Sequence, residues 1–203
     1  MSIADQNIPE QREGEHNDVI QYVDLPTVAE AHHLFILVKD RLKDVSNWHT
    51  FTGPVESKFG ITDTQGRETY KIVEKGDHIY IDMPGPGSIS GGGYDWVRVE
   101  ALREHDNAEA ESEYVAITVR PVANPKKPGS VIAHFFSHNS TNTFIVERYR
   151  NRVSAAVHGR NEQPNTDGNL IDDIRNIIVG LTARHSLSGP HWQVFVDNIL
   201  KQG

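Results

Sequence analysis

Residues 143–158 read TFIVERYRNRVSAAVH, two apolar-rich runs joined at Arg150-Asn151. A two-residue turn at that dipeptide, where Asn tolerates positive φ, makes the stretch a β-hairpin. Counting back from Tyr149 opposite Arg152 pairs Arg148 with Val153, Val146 with Ala155 and Phe144 with Val157. One face then carries Phe144, Val146, Val153, Ala155, Val157 and Arg148. The other carries Thr143, Ile145, Glu147, Ser154, Ala156 and His158. A slip of one residue exchanges the two faces, so the pattern fixes the register.

The same period of two extends upstream. Val97, Val99 and Ala101 alternate in DWVRVEA, and Val115, Ile117 and Val119 in YVAITVR. Tyr70 and Ile72 are expected to pair with Ile79, Ile81 and Met83 across a turn at Lys75-Gly76-Asp77. Val19–Val23 reads as a further short strand. The segment VIAHFF around His134 also has strand character.

Pro26–Val45 changes the period. Val28, Ala31, Phe35, Val38, Leu42 and Val45 are spaced as one stripe of a helix. Thr27 and Glu30 form a capping box, with the carboxylate returning to the Thr27 amide. Leu170, Ile171, Ile174, Ile177, Ile178 and Leu181 mark a second helix, and Gly189-Pro190 opens a last one carrying Trp192, Phe195, Val196 and Ile199.

These elements give an α+β fold: a curved antiparallel sheet of about six strands packed on an N-terminal helix and C-terminal helices. Residues 1–17 are polar and read as a disordered tail, with 18–203 a single domain. The order of elements resembles the helix-grip arrangement of START and Bet v1-type proteins. That resemblance implies a sheet wrapped around a long helix with a cavity between, and families that bind hydrophobic small molecules or lipids, some of them catalytic. Two features depart from it: the break at Gly189-Pro190, and a single clear helix ahead of the sheet. A two-layer sheet with helices on one face is the alternative.

Composition narrows the function. The chain of 203 residues has 0 Cys, which excludes disulfides and thiolate zinc sites and suits a reducing compartment. No stretch approaches the roughly 20 apolar residues that span a bilayer. The N-terminal residues lack the apolar run of a secretory signal. A cytoplasmic protein without membrane insertion is expected. A formal charge of −8 argues against nucleic acid as a partner.

Motifs for chemistry are few. The loop PGPGSISGGG, residues 84–93, is followed by Tyr94-Asp95 where a phosphate-binding loop needs Lys and Ser/Thr. It reads as a connection or a lid. His134 and His138, about 13 Å apart along a strand, are too distant to share one ion. His32 and His33 diverge by about 100° on their helix. No metal and no cofactor are expected. Nothing in the sequence marks a nucleophile beside a base, so an enzyme activity stays open.

Arg148 projects from the apolar face of the hairpin. A buried guanidinium must be paired, must hold a ligand anion, or must lie at the sheet margin with its head in water. Trp48, after the first helix, and Tyr94 and Trp96, after the glycine loop, are positioned to line a pocket mouth or to pack; Tyr70 is one of the larger inner-face side chains. Arg148, Trp48, Tyr70, Tyr94 and Trp96 are therefore the expected ligand-binding residues. The expected function is a non-enzymatic binding domain for a small apolar or amphipathic molecule held between sheet and helix. The alternative is an interaction protein or homodimer docking through Trp192, Phe195 and Ile199.

Overall fold

The computed structural model describes residues 4–53, 57–83, 88–127, 129–166 and 189–202. Their elements are β1 (Glu15–Asp24), α1 (Val28–Lys43), β2 (Lys58–Thr62), β3 (Glu68–Thr69), β4 (His78–Asp82), β5 (Asp95–His105), β6 (Ser112–Pro121), β7 (Thr141–Tyr149), β8 (Arg152–Glu162) and α2 (Gly189–Ile199). The strands form one 8-stranded antiparallel sheet in the order β1-β8-β7-β6-β5-β4-β2-β3. The fold is α+β, a large antiparallel sheet packed against helices.

The β7–β8 hairpin takes the register expected from its sequence, with Tyr149 opposite Arg152 and Phe144 opposite Val157. The left-handed residue of its turn is Arg150 (φ 53), not Asn151. Asn151 is used otherwise: its side-chain amide donates to the Leu25 carbonyl (2.7 Å), and its own carbonyl accepts the Leu25 N–H (2.8 Å), tying the turn to the entrance of α1.

Val97, Ile117, Val119, Phe144, Val146 and Val157 share one buried cluster with Phe35, Val38 and Leu42 of α1 and with Phe195, Val196 and Ile199 of α2. The alternation in β5 ends early. A bulge between Val99 and Ala101 shifts the register by one, so Leu102 packs on the core in place of Ala101. The Thr27 cap is present, its hydroxyl accepting the Glu30 N–H (3.2 Å). The Glu30 carboxylate, however, takes the Thr27 hydroxyl (2.9 Å) and not the Thr27 amide.

Several expectations are corrected. Beside β5, the strand that pairs with β4 is β2, with Gly60 opposite Tyr80, and not the Tyr70–Ile72 stretch. Residues 70–77 are held as a loop: the Val73 N–H reaches the Lys43 carbonyl (3.0 Å) and Asp77 accepts the Glu74 N–H (2.9 Å). The strand KFGIT was hidden by its glycine, which makes room for the Tyr80 ring: a Cβ there would stand 2.3 Å from it. The segment around His134 contributes only isolated bridges, Ala123 to Ile132 and Phe136 to Pro164.

The ends of the chain differ too. Ala4, in a 3-10 helix at Ala4–Asn7, packs with Ile8 on Ala116, Ile145 and Ala156 on the outer face of the sheet. Residues 10–13 are clasped by Asn161, whose Oδ1 accepts the N–H groups of Arg12 (2.7 Å) and Glu13 (3.1 Å). From Ala4 onward the segment read as a tail therefore lies on the sheet. Phe195 and Ile199 point into the core and Trp192 packs against it, so they present no exposed docking face. The stripe from Leu170 to Leu181 lies outside the described residues. Among those described, no helix is long and apolar enough to cross a membrane.

Candidate functional site

At one end of the inner face the sheet turns polar. Phe144 faces the core, and the next inward position on β7 is Asn142, opposite Val119 on one side and Gly159 on the other. Gly159 leaves a gap that two other side chains enter: a Cβ there would meet Glu162 Oε1 at 2.2 Å and Asn142 Oδ1 at 3.3 Å. The carboxylate and the amide oxygen therefore converge over β8, just beyond the apolar floor of Phe144 and Val157.

Aromatic residues close the space above. Trp48 sits in the 3-10 helix Val45–Thr50 that follows α1, and its indole N–H donates to the Leu42 carbonyl (2.9 Å), which fixes the ring. Its centroid lies 4.7 Å from that of Phe144 and 5.6 Å from that of Phe59. Trp192 of α2 meets Phe144 edge-on at 5.0 Å. Between these rings and the sheet is a cavity of about 60 Å³, reached also by Met83, Phe136, His134 and His191.

The two histidines are fixed differently. His134 Nδ1 accepts the Phe136 N–H (2.9 Å), so its proton is on Nε2. His191 is 8% exposed, and its Nδ1 is buried with no hydrogen-bond partner among the described residues. Burial pushes the His191 pKa below its ordinary value, which keeps the ring neutral at neutral pH. The site is thus an apolar, aromatic chamber with neutral and acidic hydrogen-bonding groups at one end. Among the described residues no three His, Asp or Glu side chains are grouped to hold a metal ion.

Of the residues expected to bind a ligand, Trp48 alone lines this cavity. Arg148 lies elsewhere on the sheet and is fully buried, its Nε donating to Glu113 Oε2. Its other nitrogens reach the carbonyls of Arg150 (3.0 Å) and Ala110 (2.8 Å), so the guanidinium is consumed within the fold. Tyr70 is 87% exposed. Trp96 faces away from the cavity because it neighbours the inward Val97; it packs on Tyr80 and Tyr94 and donates to the Gly91 carbonyl (2.9 Å). Ser88–Gly93 is stitched under this cluster, Asn124 also donating to the Gly91 carbonyl (2.9 Å).

Asn142 was within reach of the hairpin register, two residues before Phe144 on the same face. His191 sits one helical turn before Phe195, again on the inward face. Glu162 gave no such signal, because Asn161 (φ 55) breaks the alternation just before it.

No family model and no curated protein matches the chain. Solved structures similar to it include ginseng major latex-like protein 151 from Panax ginseng, 13% identical over 85% of this chain and 99% of that one, TM-score 0.33. Ara h 8.0201 is 9% identical over 93% of this chain and 100% of its own, TM-score 0.33. The di-domain ARO/CYC BexL from the BE-7585A biosynthetic pathway is 14% identical, over 92% of this chain and 46% of that one, TM-score 0.35. The architecture described above rests on the strand pairing.

Proposed function

We propose that the chain is a binding domain that holds a small, mainly apolar molecule between the sheet and its helices. The cavity walled by Trp48, Phe59, Phe144 and Trp192 carries this reading. Small-molecule sites are concave and chiefly apolar, with a few convergent polar groups, and Asn142, Glu162 and His191 supply those here. Its volume is less than half the roughly 150 Å³ of an engineered cavity that holds benzene. A ring therefore enters when side chains at the wall turn aside, and Met83, unbranched and with several rotatable bonds, is suited to that.

A melting curve with toluene tests the proposal. A ligand that binds only the folded chain raises the melting temperature more as its concentration grows, by the equivalent of about 2.7 kcal/mol at 100 times Kd. Ile81→Phe, which puts a ring into the cavity, removes that rise. A melting temperature indifferent to toluene, or a rise unaltered by Ile81→Phe, contradicts the reading.

A further inference from the structure

We propose that the cavity selects an uncharged aromatic ring bearing one hydroxyl, and that His191 and Asn142 make the selection. The inference rests on the reading of this cavity as a ligand site and adds the chemistry of what enters it.

The polar end is built but incomplete. Asn142 Oδ1 and Glu162 Oε1 both reach over Gly159, and His191, whose buried Nδ1 has no partner among the described residues, lines the same cavity. A buried nitrogen without a partner is unfavourable, and a ligand that satisfies it gains that difference over one that does not. A hydroxyl both donates and accepts, so it pairs with a neutral imidazole in either tautomer and with the amide of Asn142. A plain hydrocarbon ring fills the aromatic chamber and leaves His191 as it was.

Charge works against the other ring compounds. A carboxylate at this end would be brought beside Glu162 with little water between them, where like charges repel strongly. An ammonium would be drawn to Glu162, but it would lose its hydration shell within chiefly apolar walls, and that desolvation outweighs the attraction of a single buried ion pair. The Phe and Trp members of the wall, Trp48, Phe59, Phe135, Phe136, Phe144 and Trp192, favour a flat ring, which meets them edge to face or tilted as they meet one another.

Titration calorimetry of the full chain with toluene, phenol, benzoate and benzylamine at pH 7.5 tests this. Phenol is expected to bind about tenfold tighter than toluene, the equivalent of one satisfied hydrogen bond. Benzoate and benzylamine should bind more weakly than toluene. His191→Leu and, separately, Asn142→Leu should bring phenol down to the level of toluene measured in the same variant. Equal affinity for toluene and phenol, tighter binding of either ion than of phenol, or a phenol preference that survives His191→Leu overturns the inference and leaves the ligand site standing. Failure of both toluene and phenol to bind overturns the two together.

Discussion

Arg148 on β7 and Glu113 on β6 stand directly opposite each other in the sheet, both with side chains at 0% exposure, the guanidinium Nε donating to Glu113 Oε2. His32 of α1 shares that same oxygen through Nδ1 (2.8 Å). The pair thus pins the first helix to the centre of the sheet at the end away from Asn142. Removing one partner strands the other charge in the interior. Arg148→Met or Glu113→Leu alone is expected to lower unfolding stability by about 3–5 kcal/mol. The double substitution should recover to within about 1 kcal/mol of the parent, because it strands neither charge. Urea denaturation of all four proteins measures the coupling, and additive losses would contradict a tightly coupled pair.

Acid should loosen the fold through its buried histidines. Burial lowers the pKa of His191, and burial together with the nearby Arg98 charge lowers that of His78, both from an ordinary 6.5. The unfolded chain then binds more protons than the folded one as pH falls through 6.5, so stability drops from there until the folded-state values are passed. Asp18 acts lower. Burial raises its pKa, but hydrogen bonds from Arg160 and His158 outweigh this and leave it below 3.8. Between pH 7 and pH 5 the histidines therefore dominate. The melting temperature should fall over that range, and fall less in His191→Leu. Parallel pH profiles for the two proteins would show that His191 is not buried neutral.

The terminal hairpin and the first helix were legible because most residues of their patterns have one job, although Val28 at the start of the helix stripe stays exposed. Phe144, Val146 and Val157 face inward, and Arg150-Asn151 turns the chain. The stretch from Tyr70 to Met83 misled because a polar–apolar alternation of two steps looks the same in a strand and in a loop whose Tyr70 and Ile72 stay in water. Only the long-range bonds of Val73 and Asp77 separate the two. The register places Arg148 on the apolar face, but pairing, a ligand anion and the sheet margin stay open at that level, because its partner Glu113 lies 35 residues away in sequence. The cavity itself was the hardest feature to see. Its walls come from six strands, β2 and β4 to β8, from α2, from the 3-10 helix after α1 and from loops, and its polar end depends on Glu162 folding back over a glycine.

The glycine turn below Trp96 should prove intolerant at one position and forgiving at another. A Cβ on Gly91 would stand 1.8 Å from the Tyr94 carbonyl oxygen, a backbone atom that cannot rotate away. The Gly91 carbonyl also holds Trp96 and Asn124. Gly91→Ala is expected to cost more than about 2 kcal/mol, whereas Gly93→Ala, with open space but a φ of 98°, should cost about 1–2 kcal/mol from left-handed strain alone. Denaturant midpoints of the two variants decide it, and equal losses would contradict the geometry.

Asn161 should act as the clasp of the N-terminal segment. Its side chain accepts two backbone N–H groups and donates to the Glu10 carbonyl (3.1 Å), while its φ of 55° suits Asn or Gly. Asn161→Gly keeps the backbone and removes the clasp. Trypsin cleavage after Arg12 should be several-fold faster in that variant than in the parent. An unchanged cleavage rate would mean that residues 10–13 are held by something other than Asn161.

The three tryptophans test the central claim in one experiment. Trp48 and Trp192 line the cavity, while Trp96 lies on the opposite face of the sheet. In a nitrogen–proton NMR titration with phenol, the indole N–H signals of Trp48 and Trp192 should shift with a common saturation curve while that of Trp96 stays in place. A shift confined to Trp96, or three signals that do not move at any phenol concentration, would contradict a ligand site between the sheet and its helices.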